Sequence, residues 1–300
     1  MNQLPSLIDN DDFQELKRLL LSGLSFENLF ESIDEAGNTI IHLCSATCRL
    51  RCLEVILSTL SEQDCLRKLV NHSNNYGRSP LHLAAFYGWE TIVDKLLEID
   101  GIRLDGQTKA SCTPLYFACC RGHLSIVERL LSGGANPNSR TNTSSTPLIA
   151  ATVNGAIRLV QTLLLSGADA NLQNSDGMTA MHLAAEANNK EIIEILISSG
   201  GNSTIEDSRG RTFNDILLVV QKKESIRTFE GMMPIKHRHF RPNGIKPSHG
   251  PIRAGGGRTS SEAASENCLN TSSSTTNHTT SPSRQRTESR YETSPSSPNK

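Results

Sequence analysis

One short motif recurs at a nearly constant spacing through most of this 300-residue chain, and it restricts the possible folds more than any other feature. The clearest copies are the segments SPLHLAA at 79–85 and TAMHLAA at 179–185. The spacings between the leading residues of successive copies are 40, 34, 33, 33 and 33, and these residues are Thr39, Ser79, Thr113, Thr146, Thr179 and Thr212. A unit of about 33 residues cannot enclose a core alone, so the units must stack on one another.

Each copy has the pattern of two short helices. The Thr or Ser hydroxyl is suited to cap a first helix, and a following Pro fits its first turn. Nine residues after the cap comes Gly88, Gly122 or Gly155, with Cys48 and Asn188 in the other two copies. Apolar pairs then recur four residues apart, which gives the second helix one apolar face.

This pattern resembles the ankyrin repeat, and the resemblance covers about residues 1–230. It implies an all-α solenoid of stacked helix-turn-helix units with β-hairpin-like loops, followed by a disordered C-terminal tail. We predict an N-terminal capping unit, repeats 1 to 5, a C-terminal capping unit, a basic linker containing Pro and Gly, and a disordered tail rich in Ser and Thr. The predicted boundaries are, in that order, 1–33; 34–73, 74–107, 108–140, 141–173 and 174–206; 207–230; 231–258; and 259–300.

Two features depart from the regular period. The spacing of 40 residues indicates an insertion at about 61–68, which we expect to lengthen the second helix of repeat 1 or the loop after it. The terminal units are degenerate. The second helix of the N-terminal unit is fitted by Leu16, Leu19, Leu20 and Gly23, and the degenerate C-terminal unit is fitted by Ile216, Leu217, Ile226 and Phe229.

The formal net charge of −1 conceals two regions of opposite sign. Residues 1–230 contain 20 Lys and Arg against 27 Asp and Glu, a net charge of −7, whereas residues 231–300 contain 10 against 4, a net charge of +6. Residues 259–300 include twenty Ser or Thr and few large apolar side chains, so burial there cannot offset the entropy of ordering. We therefore expect an acidic scaffold followed by a basic, disordered tail.

The chain has no apolar run of about 18 residues and no basic–apolar leader at Met1, so we expect neither a membrane span nor secretion. Its eight cysteines form no Cys-x-x-Cys pair, and we predict free thiols in a reducing compartment. We expect the protein in the cytoplasm, the nucleus or both.

No motif indicates catalysis, a cofactor or a metal. His42, His82 and His182 occupy one repeat position, where the resemblance implies structural hydrogen bonds, and they are too far apart in the chain to share a metal ion. Cys44, Cys48 and Cys52 recur every four residues, but the repeat places Cys48 in the turn between helices, which interrupts the helix face that zinc would need. No glycine-rich phosphate-binding motif is present.

The resemblance instead implies a protein partner, bound by fingertip loops and the inner faces of first helices. Repeat 2 concentrates aromatic residues in a chain with 4% aromatic residues, and aromatic residues with Arg are typical of binding hot spots. The alternative for Trp89 is that it only fills the helix turn beside the insertion. Our candidate binding residues are Tyr76, Arg78, Phe86, Tyr87, Trp89, Arg121, Asn154 and Glu186.

Five residues are candidates for modification. Ser281, Ser294 and Ser297 each precede Pro, as in substrates of proline-directed kinases, and Thr287 follows an Arg-x-Arg sequence. The sequence around Asn171 resembles the context of asparaginyl hydroxylation in ankyrin repeats, whereas the reading that we prefer is that Asn171 forms hydrogen bonds within its loop.

The sequence thus predicts a non-enzymatic adaptor or regulatory subunit that binds a protein partner on the concave face of an ankyrin solenoid, with a phosphorylatable tail. We expect no small-molecule substrate and no nucleic acid, and a monomer apart from the partner. One alternative is a nuclear transcriptional regulator that uses the basic segment around Lys236–Arg241 for import or nucleic-acid contact. Another is a ubiquitin-ligase substrate receptor or an assembly chaperone.

Overall fold

A computed structural model describes residues 4–22, 27–60 and 63–232. In these ranges the chain forms fifteen α-helices and no β-strand, which confirms the all-α prediction. The helices are α1 Leu4–Asp9, α2 Phe13–Leu21, α3 Glu27–Phe30, α4 Ile40–Thr47, α5 Leu50–Thr59, α6 Gln63–Val70, α7 Pro80–Tyr87, α8 Glu90–Leu97, α9 Pro114–Arg121, α10 Leu124–Ser132, α11 Pro147–Val153, α12 Ile157–Leu165, α13 Ala180–Glu186, α14 Lys190–Ser198 and α15 Phe213–Met232.

The first helix of every repeat begins directly after the recurring Thr or Ser, which has an extended backbone conformation. In repeats 3 and 4 the hydroxyl of Thr113 or Thr146 accepts the N–H three residues later. In repeats 1, 2 and 5 a histidine completes a reciprocal capping box with the same residue. These caps satisfy N–H groups that the first turn of a helix leaves unpaired.

The same three histidines also join each repeat to the next. The Ser79 N–H donates to Nδ1 of His82 at 3.0 Å, which leaves the ring proton on Nε2. Nε2 then donates to the carbonyls of Gly106, at the end of repeat 2, and of Cys112 in repeat 3. His42 and His182 make corresponding bonds to the carbonyls of Arg78 and Arg211. Burial lowers the pKa of both His42 and His82 to about 4, and it also lowers the pKa of His182. The predicted structural role is confirmed.

The turn after each first helix is made by a residue with a left-handed backbone, nine positions after the cap. Glycine fills this position in repeats 2, 3 and 4, whereas repeats 1 and 5 have Cys48 at φ 58° and Asn188 at φ 51°. A side chain is costly in this conformation, so glycine is the common choice. The placement of Cys48 in the turn, rather than on a continuous helix face, is as predicted.

Stacking buries the recurring apolar positions. The first helices pack side by side in the order α4, α7, α9, α11 and α13, and α15 follows α13. The second helices contribute an apolar stripe that is fully excluded from solvent in repeat 2, formed by Ile92, Val93 and Leu96. Small Ala84 and Ala85 are buried between the helices, where larger side chains would keep neighbouring backbones apart.

The fingertips, which we define as the tight turns preceding each first helix, are hairpin-like without containing strand residues. Each turn is closed by a main-chain bond such as Thr108 N–H to the Cys112 carbonyl. Neighbouring fingertips are joined by one further main-chain bond, as from Lys109 N–H to the Tyr76 carbonyl at 3.0 Å. Four equivalent bonds connect the remaining fingertips, namely Asn75 to Ala36, Asn142 to Ala110, Ser175 to Thr143 and Ser208 to Asp176.

The insertion has a form that we did not predict. It neither extends α5 nor forms a loop, because residues 63–70 make the separate helix α6. The Arg67 Nε donates to the Asp100 carbonyl at 3.0 Å, and Asn71 donates to the Gly101 carbonyl at 2.9 Å. The inserted helix is therefore attached to the end of repeat 2.

The two terminal units differ from each other. At the N-terminal end α1 and α2 form a helix pair, with Leu16 fully buried as the capping role requires. At the C-terminal end α15 is one continuous helix of 20 residues rather than a pair of helices. Ile216 is buried against the preceding repeat, whereas the side chains of Ile226 and Phe229 lie outside the described residues.

Candidate protein-interaction surface

The predicted aromatic residues of repeat 2 form a continuous stripe with side chains of repeat 3. The guanidinium of Arg78 lies 5.6 Å from the ring centre of Tyr76 and 5.5 Å from that of Phe117. The Phe117 ring meets Phe86 edge to face at 5.7 Å. We call the set Tyr76, Arg78, Phe86, Tyr87, Phe117 and Arg121 the aromatic–arginine stripe.

The far end of the stripe is open to solvent. Tyr87 is 48% exposed and contacts Phe86 edge to face at 5.1 Å. The exposed Arg121 places its guanidinium 4.4 Å from the Phe86 ring centre, a cation–π contact across the boundary between repeats 2 and 3. Such contacts hold the side chains in place before a partner arrives, which lowers the entropy cost of binding.

The inner end of the stripe is partly desolvated. Arg78 and Tyr76 are half-buried. Burial lowers the pKa of Arg78, against the opposing effects of Tyr87 and Tyr76. Cation–π attraction is stronger where water is excluded, so partial burial strengthens the contacts of Arg78 with Tyr76 and Phe117.

The candidate residue Trp89 does not belong to the stripe. Its indole Nε1 donates to the Ala46 carbonyl of repeat 1 at 2.9 Å, and the ring packs against the core. His123 holds the same repeat position and approaches the Phe86 carbonyl with Nε2 at 3.3 Å. Trp89 therefore performs the connecting role of a repeat histidine, and the alternative that it fills the helix turn fits its contacts better than a binding hot spot.

The two remaining candidates lie further along the stack. Asn154 is exposed but donates to the carbonyls of Cys119 and Cys120, so its side chain amide is engaged in joining repeats 3 and 4. Glu186 is exposed in repeat 5, where desolvation raises its pKa and the nearby Arg211 and Arg209 oppose that rise. Among the described residues, neither side chain forms a hydrogen bond, ion pair or ring contact with the side chains of the aromatic–arginine stripe.

The sequence analysis missed Phe117, which links the two halves of the stripe. Its ring also meets His82 edge to face at 5.9 Å. It occupies the position of Leu83 in repeat 2 and Leu183 in repeat 5, so the repeat register alone describes it as a core residue. A phenylalanine at a position where three of the other four repeats have leucine was the available indication.

Asn171 is engaged in the loop that contains it. Its Nδ2 donates to the Gly200 carbonyl, and its Oδ1 accepts the Asn202 N–H at 2.7 Å. Asn138, one repeat earlier, makes the same pair of bonds with Gly167 and Asp169. These contacts account for Asn171 as a hydrogen-bonding residue, while its hydroxylation remains a prediction. Ser281, Thr287, Ser294 and Ser297 lie outside the described residues.

The cysteines show no arrangement for metal or nucleophilic chemistry in the described part of the chain. Burial raises the pKa of Cys44 and Cys119, and raises that of Cys52 to about 11 and that of Cys120 to about 12, which disfavours thiolate. No group of three His, Cys, Asp or Glu side chains is placed to hold a metal ion among these residues. Free thiols are confirmed at six positions, 44, 48, 52, 65, 119 and 120, but Cys112 is disulfide-bonded, so the prediction is wrong there.

Comparison with known families agrees with this architecture. A family model described as ankyrin repeats in three copies matches residues 101–173 and 148–216, and a model of the single ankyrin repeat matches residues 76–106. Residues 76–216 therefore consist of ankyrin repeats. The ankyrin repeat domain of Bcl-3, described as a member of the IkappaB protein family, has the same fold with a TM-score of 0.61 and 20% identity over 73% of this chain and 97% of that one.

Relatives of known sequence match only through part of their length. The ANK repeat-containing protein nipk-1 of Caenorhabditis elegans is 32% identical over 113 residues, which are 36% of this chain and 18% of that protein. Ankyrin repeat and SOCS box protein 2 of Bos taurus is 37% identical over 71 residues, 24% of this chain and 11% of that protein. The shared part is thus the repeat module, a protein-interaction module that is generally not enzymatic. Among the described residues, no helix combines the length and apolar character that a membrane span requires.

Proposed function

We propose that this ankyrin repeat protein is a non-enzymatic adaptor or regulatory subunit that binds one protein partner over the aromatic–arginine stripe. The observation that carries the proposal is the exposed end of the stripe, where Tyr87, Phe86 and Arg121 are held together by ring and cation–π contacts. Tyr and Arg in such preorganised groups are enriched among the residues that dominate binding energy.

The orientation of the stripe indicates how a partner would lie on the surface. Tyr76 lies at a fingertip and Tyr87 at the far end of α7, so the stripe crosses the full width of the surface formed by fingertips and first helices. A partner bound there contacts two neighbouring repeats at once. We propose that the basic segment 231–258 and the tail 259–300 form a second interaction region, which phosphorylation regulates. We also propose that the protein is located in the cytoplasm or nucleus.

Site-specific photo-crosslinking tests the proposal in the full chain. The photoreactive p-benzoylphenylalanine is introduced at Tyr87, and in a parallel variant at Leu165, which is 89% exposed at the end of the second helix α12. We expect a discrete adduct from position 87 only. The captured protein, once purified, should bind the unmodified chain and lose affinity for Tyr87→Ala.

The matched control is Ile197→Ala. Ile197 is 49% exposed on the second helix α14, so this variant removes an apolar side chain of the same exposure from a different face. Equal capture from positions 87 and 165, or equal loss of affinity in the two alanine variants, would overturn the proposal.

A further inference from the structure

The charges of the interaction surface follow a pattern that the net charge of the solenoid conceals. We compare five windows of equal length, each starting seven residues before a cap and ending eight residues after it, so that each contains a fingertip and a first helix. The windows of repeats 2, 3 and 4, at 72–87, 106–121 and 139–154, together contain four Lys or Arg and no Asp or Glu. The windows of repeats 1 and 5, at 32–47 and 172–187, contain two acids each and no Lys or Arg.

The acids of the central repeats lie instead on the second helices or in the segments that follow them. Glu90 and Asp94 of α8 are paired with Arg129 of α10, with N–O distances of 3.3 and 2.7 Å. On the inner windows, Lys109 and Arg121 are exposed and form no ion pair with any residue in the described ranges. The solenoid is acidic as a whole, yet its central inner surface is cationic.

We propose that the partner of this surface contributes an extended acidic segment, in which a carboxylate faces Arg121 and a neighbouring apolar or aromatic side chain contacts Tyr87 and Phe86. The inference rests on the proposed function and specifies the chemistry of its partner. Arg binds carboxylates through charge-assisted hydrogen bonds, and its contact with the Phe86 ring leaves the guanidinium edge for that purpose.

The flanking repeats limit the length of the segment. Three neighbouring helices at about 10 Å spacing cover about 30 Å, which an extended chain spans with about nine residues. Beyond this distance the segment meets Asp34 and Glu35 at one end and Asp176 and Glu186 at the other. Like charges at both ends repel a longer acidic stretch, so the pattern selects a short one.

An anionic protein segment fits this surface better than a nucleic-acid strand. A strand carries phosphates at regular intervals and needs cations and stacking rings repeated along its path. Here the exposed ring of Tyr87 occurs at one place, and the cationic surface is bounded on both sides by acids. The test therefore includes a nucleic acid as a competing probe.

Fluorescence anisotropy with the full chain tests the proposal. The probes are a nine-residue peptide with a central Phe flanked by Glu, the same peptide with every Glu replaced by Gln, and a nine-nucleotide oligothymidine. We expect the acidic peptide to bind at least about tenfold more tightly than the Gln peptide, with the difference shrinking between 50 and 300 mM salt because exposed charges are screened.

Two substitutions of the same chemistry provide the comparison within the protein. Arg121→Gln should weaken binding of the acidic peptide by about five- to tenfold and leave the Gln peptide unaffected. Arg158→Gln removes an exposed arginine from the second helix α12 and should change neither affinity. Tyr87→Ala should weaken both peptides, because it removes the contact with the central Phe.

The outcomes distinguish this inference from the proposed function. Three results would contradict the proposal that the partner contributes an acidic segment. They are equal affinity for the two peptides, equal effects of Arg121→Gln and Arg158→Gln, and tighter binding of oligothymidine. If the crosslink from position 87 to a protein partner persisted in that case, only the chemistry assigned to the partner would be wrong. Loss of that crosslink as well would remove both proposals.

Discussion

Repeats 2 and 5 have the same framework and different inner surfaces. Ser79 with His82 and Thr179 with His182 form the same capping box, and each histidine ring bonds to a carbonyl of the next unit. Seven and eight residues after the cap the similarity ends, because repeat 2 has Phe86 and Tyr87 where repeat 5 has Glu186 and Ala187. Positions that build the solenoid and positions that contact a partner are therefore separate sets within one repeat.

The framework positions should respond to pH. His42 and His82 have a pKa near 4 when folded and about 6.5 when unfolded, so the unfolded chain binds more protons as the pH falls from 6.5 towards 4. Stability is then full above pH 6.5 and is lost below it. We expect the two histidines together to lower the free energy of unfolding by about 4 kcal/mol between pH 7 and pH 5, measured by urea unfolding at each pH.

The double variant His42→Gln/His82→Gln is the control, because neither side chain titrates in this range. Its unfolding free energy should fall less steeply between pH 7 and pH 5 than that of the parent chain. An equally steep decrease would assign the pH dependence to other groups.

Substitutions at the surface positions should change the affinity for the partner instead of the stability of the fold. Tyr87→Ala should weaken binding to the crosslinked partner by about 2 kcal/mol, roughly thirtyfold, and change the unfolding free energy by less than about 1 kcal/mol. The two quantities are measured by calorimetric titration and urea unfolding of the same sample. A large loss of stability with unchanged affinity would show that Tyr87 belongs to the framework after all.

Trp89 tests the boundary between the two sets. Trp89→Phe keeps most of the packing but removes the bond to the Ala46 carbonyl, so we expect a loss of stability of about 1 kcal/mol and an unchanged affinity. Trp89→His should retain more stability, because His123 makes the corresponding contact one repeat later. Thermal unfolding of the three proteins, with affinity measured alongside, compares them directly; weakened affinity in Trp89→Phe would return the residue to the binding surface.

Glu186→Gln should have the smallest effect. Removing this negative charge from repeat 5 reduces repulsion of an acidic segment that lies on repeats 2 to 4, and we expect affinity for the acidic peptide to rise about twofold, with screening by salt. The Gln peptide should bind Glu186→Gln and the parent chain equally. A decrease in affinity for the acidic peptide would indicate that Glu186 itself contacts the partner.

The sequence was sufficient for the framework because the framework repeats. Thr or Ser caps, histidines and apolar pairs return at one register, and each copy supports the assignment of the others. The sequence was insufficient where a side chain has a role that is found in one repeat and not in the others. Phe117 stands where three repeats have leucine, and Trp89 stands where repeat 3 has His123. Both assignments depend on distances between repeats. The inserted helix α6 and the continuous α15 have no counterpart elsewhere in the chain, so no second copy predicts their form.

The single main-chain bond between neighbouring fingertips has a mechanical consequence. Each unit is fastened only to its two neighbours, so tension applied along the stack acts on the weakest junction first. We expect a pulled molecule to lengthen in steps of one unit, each releasing up to about 110 Å of chain. A partner lying across repeats 2 to 4 spans two junctions. It would reinforce these two junctions against tension, so that the end units would separate at lower force than the central ones.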